Sequence, residues 1–220
     1  MSLWLFFKDE LKGFYLSKIM LVLWIGMPLI SISMHFFQPN AEDIPITILV
    51  GILIASLGGV LSSVMLSTTI VSEKNRHVYD LYLIRPIKRF NIMFAKFLAV
   101  YSCLGISTLI SLGFGIIIDS FNSEIALKLI LDDTIDALSV SFAAMAIACT
   151  AGILIGLLSN SVMIAAILSV YIANQLSMLA VLPGVMFEKI DTVTFSLIVG
   201  SAISIITLFV IAKIIEKKEF

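Results

Sequence analysis

Apolar residues fall along this chain in long unbroken blocks. They show neither the alternation of a half-buried strand nor the one-sided stripe of a soluble helix. Six stretches contain no Asp, Glu, Lys or Arg: 19–37, 46–71, 97–118, 137–158, 162–182 and 192–212. A helix needs about 20 largely apolar residues to cross a bilayer, and each stretch is of that order. The fourth and fifth are separated only by Ser159, Asn160 and Ser161. One helix of their combined length would not stay in a membrane, so a helical hairpin is expected there. The second stretch is longer than a bilayer requires and is expected to tilt or to project beyond it.

Two segments outside these stretches carry their own pattern. Leu3, Phe7, Leu11 and Phe14 recur at helical spacing, with Lys8, Asp9 and Lys12 elsewhere on the wheel. Residues 1–17 therefore predict an amphipathic helix lying on the membrane surface, with Trp4 suited to the interface. The charges forbid deep burial and disfavour a simple extension of the first span. In the loop 72–96, Ser72 followed by Glu73 predicts a helix start with an N-cap and an acid in the first turn. Val78, Leu81, Tyr82 and Arg85 share one face, Pro86 ends the helix, and Phe90 to Lys96 lead into the next span.

Charge placement gives a direction. With both ends in the cytoplasm, the inner segments hold Lys8, Lys12, Lys18, Lys74, Arg76, Arg85, Lys88, Arg89, Lys96, Lys213, Lys217 and Lys218, twelve of the 14 basic residues. Only Lys128 and Lys189 fall outside, together with Glu42, Asp43, Asp119, Glu124, Asp132, Asp133, Asp136, Glu188 and Asp191. The positive-inside rule thus predicts an all-α, polytopic protein of the cell membrane with six transmembrane helices, N-in and C-in.

Composition agrees: 60% of the 220 residues are hydrophobic and 13% charged, with a mean hydropathy of +1.12. A soluble domain carries about 25% charged residues. The first residues lack the basic region and cleavage site of a signal peptide. Cys103 and Cys149 sit in apolar runs and read as small hydrophobes, with no disulfide, metal or redox role.

The spans as drawn hold no acidic or basic residue, whereas ion-coupled carriers and intramembrane hydrolases place ionisable groups there. The two histidines, His35 and His77, form no metal or catalytic pair, and no Gly-x-Ser-x-Gly or P-loop motif is present. No catalytic residue is assigned, an enzyme acting by itself is not expected, and a lipid-processing enzyme is disfavoured. Energy for any transport would have to come from another chain. Small residues mark the spans instead: Gly58, Gly59, Ser62, Ser63 and Ser67, the pair Gly152 and Gly156, and Gly200, Ser201 and Ser204. Close helix packing is their simplest use. Pro28 is expected to kink the first span or be accommodated by neighbours. Ser63, Ser67, Asn174 and Gln175 are the candidate polar residues for interhelical hydrogen bonds or for lining a path.

The stretch 72–96, SEKNRHVYDLYLIRPIKRFNIMFAK, resembles the cytoplasmic coupling segment of ABC-2 type permeases, the membrane subunits of ATP-driven exporters. The family pattern reads roughly Ser-Glu-Lys/Arg-Glu-x-Gly-Thr-x-Glu-x-Leu, then Thr-Pro, then Gly-Lys opening the next span. Ser72, Glu73 and Lys74 match, Asp80 stands for Glu, Leu83 follows, and Pro86 and Lys96 match with Ala95 in place of Gly. Asn75, His77, Val78 and Arg85 depart from it. The plan of a leading amphipathic helix, six spans and a main loop between spans two and three is also similar, though the segment 183–191 before the last span is short. The resemblance implies coupling residues Glu73, Lys74, Arg76, Asp80, Leu83 and Pro86. It also implies a P-loop ATP-binding subunit that carries the ATP and Mg, no cofactor on this chain, and a second permease copy, identical or related. No nucleic-acid partner is expected. Other readings are a cytochrome c maturation-type ABC membrane subunit and a non-transport anchor or scaffold for a cytoplasmic partner.

Overall fold

The computed structural model describes residues 3–15, 17–37, 46–76, 78, 89–122, 127–186 and 192–217, apart from some side chains near helix ends. Every element among them is a helix: α1 Leu3–Tyr15, α2 Lys18–Phe37, α3 Ile46–Asn75, α4 Arg89–Asn122, α5 Leu127–Leu158, α6 Val162–Met186 and α7 Thr192–Lys217. Long apolar runs without water to hydrogen-bond their backbone must pair every N–H and C=O internally, and a helix does this locally. Five of the seven are long and apolar enough to cross a membrane, and α2 adds the shorter apolar stretch Leu23–Ser33.

α3 and α5 form the centre. In its most apolar window α5 is 83% buried, against 22% for α6 and for α7. Small residues make this closeness possible. A Cβ on Gly152 would lie 2.6 Å from the carbonyl oxygen of Ser63, and one on Gly156 would lie 3.1 Å from Cα of Ser67. The Gly-x-x-x-Gly pair of α5 thus seats the serine stripe of α3. Gly200 brings α7 against Ala143 of α5 in the same way. Many hydroxyls are satisfied inside the apolar packing, though those of Ser31, Ser63 and Ser204 are buried without a partner among the described residues. Thr68 donates to the Val64 carbonyl at 2.7 Å and Thr134 to the Ile130 carbonyl at 2.6 Å. Others tie helices together: Ser111 donates to the Met27 carbonyl at 2.8 Å, and Ser169 to Ser67 Oγ at 2.7 Å. The outer faces of α6 and α7 expose Ile164, Ile167, Tyr171, Ile198, Ile205 and Phe209. Water does not tolerate an apolar surface of this extent, whereas lipid does.

Several helix boundaries differ from the sequence reading. α3 runs through Asn75, so Ser72 and Glu73 lie in its last turns and do not open a new helix. No Pro or Gly interrupts α3 there, and the Arg76 N–H closes the final turn on the Ser72 carbonyl at 3.1 Å. α4 starts at Arg89 and α5 at Leu127, each well before the apolar stretch it contains. Pro28 is accommodated inside α2. The 159–161 link does separate two helices: Ala165 N–H bonds to the Ser161 carbonyl at 3.0 Å, which places Ser161 at the start of α6. A separate α1 also holds. The chain bends at Ser17, whose Oγ accepts the Met20 N–H at 3.2 Å and caps α2. The inward face of α1 is set by Phe6 and Phe14, with Phe7 and Leu11 beside them.

The Gly152 contact leaves no room for a side chain, because the nearest atoms are backbone. Gly152→Ala is expected to destabilise the protein by about 1–3 kcal/mol through forced separation of α3 and α5. Thermal unfolding in detergent checks this, and an unchanged midpoint would contradict the tight α3–α5 seam.

Candidate functional site: a buried lysine joining three helices

Lys96 belongs to the second turn of α4, flanked by the buried residues Ile92, Met93, Ala95, Ala99 and Val100. A helix places residues three and four apart on one face, so the lysine is carried into the core with its neighbours. Only 1% of its side chain is exposed. Such an ammonium is tolerated when carboxylates meet it, and two do. Lys96 Nζ donates to Glu10 Oε1 at 2.7 Å and to Glu73 Oε1 at 2.6 Å. Glu10 sits between Phe6 and Phe14 at four-residue spacing, in the middle of the inward face of α1. Glu73 comes from the last turn of α3. Their side chains remain 18% and 23% exposed. The lysine therefore joins α1, the end of α3 and the start of α4 at one point. Two carboxylates face one ammonium. Burial pushes the Glu10 carboxyl above its ordinary 4.5, with Lys96 opposing that shift and Glu73 adding to it. Glu73 Oε2 is buried and has no hydrogen-bond partner among the described residues.

Lys74, the next residue, makes a second tie at the same end. Its Nζ donates to Asn160 Oδ1 at 2.9 Å and reaches the Ser159 carbonyl at 3.5 Å. Asn75 Nδ2 donates to the Asn160 carbonyl at 3.5 Å. A cation beside the last carbonyls of α5 is favoured by the negative end of that helix. Arg76 is exposed beyond these ties. A groove of about 550 Å³ runs along this part of α3, lined by Thr68, Thr69, Ser72, Glu73, Arg76, Val78 and Val162.

Of the coupling residues read from the sequence, Glu73, Lys74 and Arg76 gather here, while Asp80, Leu83 and Pro86 lie outside the described residues. Ser63 and Ser67 are fully buried in the α3–α5–α6 packing and far from Lys96 in character. Ser67 accepts from Ser169, and Ser63 Oγ has no hydrogen-bond partner among the described residues. Asn174 is half-buried whereas Gln175 is exposed, so the two amides do not act as a pair. Neighbours on a helix point about 100° apart, which separates them. The sequence reading missed Glu10 and the burial of Lys96. The signal for Glu10 was present, as an acid midway between two phenylalanines at four-residue spacing. Among the described residues no cluster of His, Cys, Asp and Glu could hold a metal ion.

The class these features define is an all-helical protein built from apolar, membrane-length helices with an ionic cluster at one end of the bundle. No protein-family model matches the chain, and no curated protein matches it.

Removing the lysine strands two carboxylates in a partly dry site. Lys96→Ala is expected to cost about 3–5 kcal/mol, and Glu10→Gln much less, because the charge-assisted bond it weakens is offset by relief of the buried carboxylate's desolvation. A double-mutant cycle read by thermal unfolding should show strong coupling between the two positions, and simple additivity would rule out the contact. The Glu10 shift also carries a sign. A carboxyl raised in the folded state favours docking of α1 fully below pH 4.5, and that contribution is lost as pH rises through the folded value. Hydrogen exchange of α1, corrected for its intrinsic pH dependence, should weaken in protection over that rise. Glu10→Gln should abolish the slope.

Proposed function

We propose that this chain is the membrane-spanning subunit of an ABC transporter of the ABC-2 permease type. In this reading it has six transmembrane helices with both termini in the cytoplasm, sits in the cell membrane and acts as an exporter. A separate P-loop subunit hydrolyses ATP and docks against the loop after α3, and a second permease copy completes the path. The observation that carries the reading is the contact between Glu73 and Lys96. These two residues were singled out by the resemblance at opposite ends of the 72–96 segment, and they meet at 2.6 Å.

The contact supports a mechanical role for the segment. Its two ends are clamped to each other and to α1 through Glu10. A force applied to the intervening loop therefore reaches α1, α3 and α4 together. Lys74 extends the connection to the α5–α6 link through Asn160. Exposed polar groups such as Arg76 suit a docking surface that is wet and charged. The apolar outer faces of α6 and α7 suit lipid.

The test is a gentle pull-down of the tagged protein from its native membrane. A stoichiometric P-loop ATPase should co-purify, with hydrolysis stimulated by the complex. Asp80→Ala should lower that stimulation without changing membrane insertion. A reproducible absence of any ATPase would overturn the proposal in favour of a scaffold that recruits another cytoplasmic partner.

A further inference from the structure

The face that α1 turns to the bundle is only part of its apolar arc. With successive residues about 100° apart, Phe6, Glu10 and Phe14 form the bundle face, and Phe7 and Leu11 stand beside it, half-buried. The arc continues past them to Trp4 and Tyr15, which are 68% and 57% exposed. Exposed Lys8 and Lys12 follow directly after the two aromatics, and Asp9 lies further round the helix, beyond Leu5. Tyr15 sets its ring edge-on against Trp24 of α2 at 5.3 Å. Trp24 is three positions from Leu21, which opens the exposed aliphatic row Leu21, Ile25 and Leu29. The exposed aromatics of α1 are therefore continuous with a face of α2 that suits lipid.

We propose that this side of α1 docks on the anionic headgroups of the bilayer, with Lys8 and Lys12 pairing with lipid phosphates and Trp4 and Tyr15 seated beside them. Tryptophan and tyrosine favour a place that is apolar at one end and wet at the other. A lysine stem lies along apolar surface and carries its ammonium out to the headgroups. Lys8 and Lys12 are one turn apart and share a face, so both ammonium groups stand at the same level on the edge that adjoins the aromatics. Asp9 is turned about 100° from Lys8, away from the aromatics, and leaves that edge positive. A choline or ethanolamine headgroup brings its own cation and competes with the lysines. A glycerol headgroup leaves the phosphate charge unmatched, so the lysines select for it. Glu10 lies on the opposite side of α1 and is held by Lys96 at 2.7 Å. The helix is thus pinned from inside by the bundle and from outside by lipid charge, and the lipid composition sets how firmly the Glu10–Lys96–Glu73 cluster is held.

This docking needs only α1 and a bilayer, and does not depend on the exporter reading. Trp4 and Trp24 are the two tryptophans of the chain, so Trp24→Phe leaves Trp4 as the reporter. The full chain carrying that change is reconstituted in mixed phosphatidylcholine and phosphatidylglycerol vesicles, with bromine-labelled acyl chains on one lipid or on an equal amount of the other. Trp4 fluorescence should be quenched more strongly by the brominated glycerol lipid. A preference of about fivefold for each lysine is expected at low ionic strength, and salt should reduce it. The double variant Lys8→Gln, Lys12→Gln should remove the preference while quenching by the choline lipid persists, and Lys8→Arg, Lys12→Arg should retain it. Hydrogen exchange of α1 in the chain with both tryptophans gives an independent reading. Protection should rise when phosphatidylglycerol replaces phosphatidylcholine, and should not rise in the double glutamine variant. Equal quenching by the two lipids would overturn the proposal, as would a preference that survives the glutamine changes or protection indifferent to lipid charge. Failure of either lipid to quench Trp4 would also overturn it, and a Trp4→Cys disulfide between two copies would then assign the face to a second copy of the chain.

Discussion

An ammonium group removed from water costs several kcal/mol unless close carboxylates repay it, and Lys96 imposes that condition on this fold. With 1% of its side chain exposed, it needs Glu10 and Glu73 where they are. That need holds α1 against the bundle although few of its residues are buried. Without the pair, α1 would rest on apolar contacts such as those of Phe6, Phe14, Phe7 and Leu11 and on the edge contact of Tyr15 with Trp24. It also holds the two ends of the 72–96 segment together. One lysine therefore governs how α1, the end of α3 and the beginning of α4 sit relative to one another.

The remainder of the bundle supplies a rigid base for that cluster. The α3–α5 seam is built on backbone approaching backbone at Gly152 and Gly156. A seam of this kind has little slack, because no flexible side chain lies between the helices to absorb a shift. α3 carries Glu73 and Lys74 at its end, so displacement of that end must move α5 as well. Lys74 adds a direct tie to the α5–α6 link. The exposed faces of α6 and α7, by contrast, make few interior contacts and present aliphatic and aromatic side chains outward. The molecule combines a tightly seamed centre, an ionic knot at one end and a greasy periphery.

Much of this was legible in the residues. The apolar blocks that predicted spans lie within helices, and the break at Ser159, Asn160 and Ser161 separates α5 from α6. Both follow from local physics, since run length and backbone hydrogen bonding are properties of a segment. The separate leading helix α1 was legible for the same reason. The start at Ser72 was misplaced because a good N-cap residue in the sequence is equally at home in the last turn of a preceding helix when no Pro or Gly stops it. The polar pair Asn174 and Gln175 was treated as one feature, although adjacent helical positions face different surroundings.

By itself the sequence determined that this chain is helical and apolar enough for a membrane, and where its charged ends lie. Tertiary structure decided which of those charges meet. Glu10 and Lys96 are 86 residues apart, and Lys74 and Asn160 are separated by the same number. No periodicity or local motif reports such a pairing. It depends on which helix faces pack together, and here that was settled by the glycine and serine seam between α3 and α5 and by the apolar face of α1, which carried one carboxylate inward to a lysine waiting on α4.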